Sequence, residues 1–144
     1  MSLNQIADEI KACMMCPLRE GATQPVPGYG NPQAKYVLIG EAPGRDEDKA
    51  GMPFVGLAGK RLNTLLALGN ISQNDCYFTN VCRCRPPDNR TPRKNEVRAC
   101  SPYLYQELEE IQPEYIVTLG ATPLKLFTET GVSQLHGTMF EVEI

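Results

Sequence analysis

The residues best equipped for chemistry in this sequence are six cysteines, Cys13, Cys16, Cys76, Cys82, Cys84 and Cys100, in a chain of 144 residues. The N-terminal run MSLNQIADEI carries acids and lacks the apolar stretch of a secretion signal. Disulfides are therefore not expected, and a metal or redox role is. Cys13-x-x-Cys16, with Cys84 and Cys100 far downstream, supplies four thiolates. Such a set suits zinc or an iron–sulfur cluster, and the spacing leaves both open. Cys82 and Cys84 stand two apart, so in an extended segment they face opposite sides and only one should ligate. Cys84 lies past the end of its strand, whereas Cys82 and Cys76 read as small buried apolar residues. A thioredoxin-like pair at Cys13 and Cys16 is disfavoured, because that motif opens a helix after a strand. Here it follows a helix.

The second chemical segment is Gly40-Glu41-Ala42-Pro43-Gly44-Arg45-Asp46-Glu47-Asp48. Its glycines permit tight turns and a close backbone approach to a ligand. It is neither a Walker loop nor a dinucleotide fingerprint. Glu41, at the end of a strand, is a catalytic candidate. Asn80 ends another strand, at a position where a core would prefer an apolar residue. The third feature is basic: Arg83, Arg85, Arg90, Arg93, Lys94 and Arg98 are six of the fourteen cations, with only Asp88 and Glu96 nearby. The net charge of −3 and pI near 5.2 exclude a generic DNA-coating protein, so the segment reads as a local phosphate-facing patch or as a solvated face. His136, the single histidine, reads as a surface residue.

These residues need elements to position them. Leu3, Ile6, Ala7 and Ile10 follow helical spacing, and Pro17 ends the segment that follows. Residues 20–35 form an irregular loop rich in glycine and proline. Tyr36-Val37-Leu38-Ile39 is a buried strand ending at Gly40, followed by a long polar loop from Glu41 to Phe54. Ala58, Leu62, Leu65 and Leu66 mark a helix ending at Gly69. Cys76 to Cys82 is a second strand. Thr91-Pro92 and Ser101-Pro102 each look like a cap followed by a first-turn proline, which predicts two successive helices. Tyr115 to Gly120 is a third strand, Thr122-Pro123 caps a last helix, and Met139 to Ile144 is a fourth strand. The alternation predicts one α/β domain over 1–144, with three α/β/α layers around a mainly parallel four-stranded sheet. Ligands then belong beyond the carboxyl ends of the strands, after Ile39 and after Phe78. No apolar run approaches the ~18 residues of a membrane helix, so a soluble, cytoplasmic protein is expected, with no membrane partner.

Taken together the segments resemble the family 4, or iron–sulfur type, uracil-DNA glycosylases. The matching pieces are Cys13-x-x-Cys16, the Gly40-Glu41-Ala42-Pro43-Gly44 loop with Glu47 and Asp48, and Gly51-x-Pro53-Phe54-Val55-Gly56-x-Ala58-Gly59. Thr79-Asn80, Cys84-Arg85-Pro86-Pro87, Asn89-Arg90 and Cys100 continue the match in order. The resemblance implies a 4Fe–4S cluster held by Cys13, Cys16, Cys84 and Cys100, structural in role and close to the DNA-binding face. It also implies a substrate: uracil-containing DNA, single- or double-stranded, acted on by a monomer. The family continues into a motif built around His-Pro, and this sequence stops at Ile144 before one. The resemblance therefore implies a chain lacking its C-terminal part, with the activity of the 144-residue form left open.

A glycosylase flips the nucleotide out of the stack and reads the base in a pocket. The resemblance implies that Phe54 stacks on the uracil ring and that Gly40 belongs to the substrate-binding residues. The Asn80 amide donates to O4 and accepts from N3–H, a pattern that cytosine reverses. Glu41 stabilises the sugar cation or positions water, and backbone donors near Ala42 hold the departing O2, each such donor being typically worth ~3 kcal/mol. Glu47 is expected beside C5, where it would discourage thymine. Arg85, Arg90, Arg93 and Lys94 are expected on phosphates. The rival readings are a non-catalytic iron–sulfur nucleic-acid-binding protein of the same fold, an electron carrier, and a zinc-stabilised domain of other activity.

Overall fold

The computed structural model describes residues 1–142. In chain order the elements are α1 (Leu3–Lys11), α2 (Leu18–Gly21), β1 (Tyr29–Gly30), β2 (Tyr36–Gly40), α3 (Arg45–Ala50), α4 (Leu57–Leu68), β3 (Cys76–Asn80), α5 (Lys94–Ile111), β4 (Tyr115–Thr118), α6 (Ala121–Leu124) and α7 (Val132–Leu135). The sheet order is β1-β3-β2-β4. β2 runs parallel to both β3 and β4, while the short β1 pairs antiparallel with β3. The expected α/β class with a mainly parallel four-stranded sheet holds, but one strand is different. β1 arises inside the segment expected to be irregular. Met139 to Val142 carries no strand, and the rest of the fourth strand expected there lies outside the described residues.

The three layers follow from the two-residue period of the strands. Val37, Ile39 and Tyr77 turn to one face, where they join Ile6 and Ile10 of α1 and Leu104, Leu108 and Ile111 of α5. Leu38 and Cys76 turn to the other and meet Leu62 and Leu66 of α4. Neighbours along a strand point to opposite sides, so helices must cover both faces. β2 is buried almost throughout, which is why it reads as a continuous apolar run rather than an alternation.

Two helices depart from the sequence expectation. The long polar loop after Glu41 contains α3, whose first turn carries Asp46, Glu47 and Asp48 and whose end is turned by Gly51 at φ +71°. Acids in a first turn complement the helix dipole, and the helix has only six residues before that terminating glycine, so apolar periodicity had no room to appear. The expected break at Ser101-Pro102 is absent, and α5 runs through Pro102 as one helix of 18 residues. An interior proline costs about 3 kcal/mol. Against that, the continuous helix buries Cys100, Tyr103, Leu104, Leu108 and Ile111 on a single face, worth more in total. The helix starts at Lys94 instead of Pro92 because Glu96 reaches back to accept the Arg93 N–H at 2.7 Å. The last expected helix is short, α6 ending at Leu124, and α7 lies past Gly131 where no helix was expected.

Candidate active site

Register places the site. In the parallel pair, Gly40 stands opposite Asn80, and Ile39 opposite Thr118. The carboxyl ends of the central strands are thus level, and their loops open on one side of the sheet. Gly40 is the residue that makes room there. A Cβ on it would lie 2.5 Å from Asn80 Oδ1 and 2.8 Å from Phe54 Cζ. The Asn80 amide and the Phe54 ring therefore converge on the bare backbone of Gly40. Asn80 is 4% exposed, and Phe54 is half-buried, tilted against Phe78 with ring centroids 6.1 Å apart. A fixed amide beside an aromatic ring, with glycine beneath, suits a flat heterocycle with hydrogen-bonding edges.

Glu41 follows Gly40 and is half-buried beside half-buried Ala42. Its carboxylate accepts a hydrogen bond from Thr122 Oγ1 at 2.6 Å. Thr122 lies in α6, just past β4, and the sequence reading saw it only as a helix cap. The backbone of this loop is tied down from β3's end: Val81 N–H donates to Gly40 O and Cys82 N–H to Glu41 O. Glu41 is thus an acid on a fixed backbone with one oxygen already oriented.

Glu47 is held by the backbone of its own loop. Its Oε1 accepts from Gly44 N–H at 3.0 Å, and its Oε2 from Val55 N–H at 3.1 Å and Gly56 N–H at 2.7 Å. Asp48, quoted only as part of the motif, is 5% exposed and accepts from Thr23 N–H at 2.9 Å.

The cysteines divide as the sequence suggested, with one exception. Cys13, Cys16, Cys84 and Cys100 lie in or against one apolar cluster, whereas Cys76 sits in the other core beneath α4. Charge on Cys100, Cys16 or Cys13 is felt at Cys84, whose thiol burial and these neighbours push up to about 12. The exception is Cys82, which belongs to the same cluster and donates its S–H to Cys100. That bond, helped by the Arg83 charge and its backbone N–H at 3.2 Å, lowers the Cys100 thiol to about 7 despite its burial. Cys82 is correspondingly raised, first by that same bond. Among the described residues no group of three His, Cys, Asp or Glu side chains is arranged to grip a single metal ion.

The basic segment is less uniform than its sequence. Arg83 is not a surface cation at all: it is 1% exposed and doubly bonded to Glu107, itself 1% exposed. Tyr77 Oη and Thr79 Oγ1 donate to the same carboxylate at 3.0 and 2.8 Å. Arg90 is half-buried and makes a two-pronged pair with Glu96 at 2.7 and 2.8 Å, so its charge is largely spoken for. Arg83 therefore leaves the basic patch, while Arg90 stays at its edge with its charge paired. Arg93 and Lys94 are exposed at the start of α5, and half-buried Arg85 donates through Nε to Asn89 Oδ1 at 2.7 Å.

Comparison with known proteins gives the family. A family model of the uracil DNA glycosylase superfamily matches residues 27–142. A type-4 uracil-DNA glycosylase of Archaeoglobus fulgidus is 45% identical over 148 residues, covering 99% of this chain and 74% of its own length. The type-4 uracil-DNA glycosylase of Saccharolobus solfataricus is 48% identical, over 83% of this chain and 56% of its own. That of Thermotoga maritima is 45% identical, over 86% of this chain and 65% of its own. The chain thus spans between 56% and 74% of the length of these relatives.

Proposed function

Because this chain belongs to the uracil-DNA glycosylase superfamily, in its type-4 branch, we propose that it excises uracil from DNA by hydrolysing the N-glycosidic bond. The observation that carries the reading is the convergence of Asn80 and Phe54 on Gly40 at the carboxyl ends of β2 and β3. An extruded uracil stacks on Phe54 and pairs its O4 and N3–H with the Asn80 amide. Cytosine offers a donor at C4 and an acceptor at N3, leaving buried groups unpaired on both sides, a mismatch that polar sites reject strongly. Bond cleavage leaves a cation on the sugar and an anion on the base. The Glu41 carboxylate, aimed by Thr122, stabilises the first or orients the attacking water. Backbone donors near Ala42 hold the O2 of the second.

A 4Fe–4S cluster fits the donor set Cys13, Cys16, Cys84 and Cys100. These four thiols gather in one apolar cluster, and Cys100 is held at a low pKa that favours the thiolate. These residues would hold it between the α1–α2 loop, the segment after β3 and α5, and its contribution there would be structural. Cys82, fully buried behind Cys100, keeps the role of a packing residue and S–H donor. Phosphate contact falls to Arg85, Arg93 and Lys94. The protein works as a monomer on single- or double-stranded DNA, in the cytoplasm.

The test is release of free uracil from an oligonucleotide with one deoxyuridine, read as an alkali-labile abasic site without added nucleotide or magnesium. Asn80→Asp should reduce discrimination against cytosine, since a carboxylate accepts from the cytosine amino group but cannot donate to O4. Glu41→Ala should slow excision more than it weakens binding. A chain that binds such DNA but releases no base, alone and as a chimera carrying the unmatched length of the Archaeoglobus relative, overturns the enzyme reading. A non-catalytic DNA-binding protein of the same fold would replace it.

A further inference from the structure

Phe54 is held in a conformation that its own chemistry disfavours. Its φ is +56°, in the left-handed region that a bulky side chain seldom occupies. Residues kept in such regions cost about 1–3 kcal/mol and persist only where the surroundings enforce them. Two enforcing features are visible. Gly59 lies directly under the Phe54 carbonyl: a Cβ at position 59 would collide with the Phe54 carbonyl oxygen and carbon, so only glycine lets α4 approach this closely. The second is Glu47. It receives the N–H groups of Val55 and Gly56, the two residues immediately after Phe54, while its other oxygen receives the N–H of Gly44 at the start of the same loop. The carboxylate therefore ties the two ends of the 44–56 loop together at one point.

We propose that Glu47 is a positioning residue: it clasps this loop shut and so fixes the left-handed Phe54 backbone that aims the ring across Gly40 towards Asn80. The inference rests on the uracil-excision reading for what the ring does, but not for how the ring is held. The clasp needs an acceptor on both sides. Glutamine keeps the length and shape but turns one acceptor into a donor, so either the Gly44 end or the Val55–Gly56 end loses its partner. Glycine at 44 and 56 belongs to the same device, since a Cβ there would stand 2.9 Å from Glu47 Oε1 and 3.0 Å from Glu47 Oε2 respectively.

The experiment labels the chain with 4-fluorophenylalanine, which gives four fluorine positions, and assigns Phe54 by its loss in Phe54→Leu. Glu47→Gln should move or broaden the Phe54 resonance, with a smaller effect on Phe78 beside it, while those of Phe127 and Phe140 stay in place. In parallel, binding is measured to DNA bearing a non-cleavable deoxyuridine analogue and to the same DNA with thymidine. Glu47→Gln should weaken the first by roughly tenfold, the value of about one charge-assisted hydrogen bond, and leave the second unchanged. In a Phe54→Leu background the same change should add little, because the residue it positions is gone. Gly59→Ala should reproduce the resonance shift and the binding loss with Glu47 intact. An unmoved Phe54 resonance in Glu47→Gln overturns the clasp. So does improved binding of thymidine, which would mean that the carboxylate guards C5 instead. If wild-type chain binds the two DNAs equally, the uracil reading fails, and the fluorine spectrum still decides the clasp.

Discussion

Two arginine–carboxylate pairs flank the cysteine segment, alike in chemistry and opposite in setting. Arg83 and Glu107 are both sealed in the core, where Tyr77 and Thr79 complete the carboxylate's hydrogen bonds. Arg90 and Glu96 meet at the edge: the carboxylate is buried, but the arginine side chain keeps 31% of its exposure. The inner pair joins β3, the segment between Cys82 and Cys84, and α5, so it braces the strand that presents Asn80 against the helix that carries Cys100. The outer pair folds the loop after Cys84 onto the start of α5. Burial of a matched ion pair adds little net stability, yet stripping one partner is severe because the other charge stays behind without water. The inner pair should therefore behave as a fixed strut, and the outer pair as a latch that solvent conditions can loosen.

The largest effect is expected inside. Glu107→Ala leaves the Arg83 guanidinium and two hydroxyls without their acceptor, and unfolding in denaturant should show a loss of about 3–5 kcal/mol. Arg83→Met combined with Glu107→Leu should recover most of that loss. If Glu107→Ala cost no more than the corresponding change in the outer pair, the contrast between strut and latch would be gone. Glu96→Ala is expected to cost about 2 kcal/mol, combining the lost pair with the lost Arg93 N–H contact at the start of α5.

The outer pair should also respond to pH. The hydrogen bonds from Arg90 hold the Glu96 carboxyl down to about 2, against an ordinary value of 4.5. A lowered folded-state value means that the unfolded chain takes up the proton first as pH falls. The pair's stabilisation should be complete above pH 4.5 and should drain away between there and pH 2. Denaturation midpoints of wild type and Glu96→Gln should converge across that window and differ above it.

A smaller change sharpens the inner side: Tyr77→Phe removes one neutral donor to Glu107 and should cost about 1 kcal/mol. The smallest effects concern DNA. Arg93→Ala and Lys94→Ala should each flatten the salt dependence of DNA binding by roughly one unit of slope. Arg90→Ala should flatten it less, because its charge is already matched by Glu96. A full unit lost in Arg90→Ala would mean that the latch opens on DNA.

The paired cysteines of the first loop, the glycine that ends the central strand and the strands themselves were legible in the sequence because each depends on local pattern. Cys13-x-x-Cys16 is a spacing, Tyr36-Val37-Leu38-Ile39 is an unbroken apolar run, and Gly40 ends it. The misreadings were local patterns outweighed from afar. Ser101-Pro102 looks like a helix start, and α5 ignores it because the apolar face on either side packs as one piece. Arg83 looks like its neighbour Arg85, and its partner Glu107 lies 24 residues away; Glu96 is close to Arg90 in the chain, but the spacing does not say that the two meet.

By itself the sequence determined the central strands β2, β3 and β4, the helix α4 between the first two and the α/β class, since periodicity and turn residues act over a few positions. Only the tertiary structure decided what each charged group is for. Arg83 finds Glu107 24 residues away and Glu41 finds Thr122 81 residues away. Glu47 is claimed by backbone donors as far off as Gly56. A side chain's role depends on which partner meets it and whether water can reach the pair. Both are settled when distant segments close over one another.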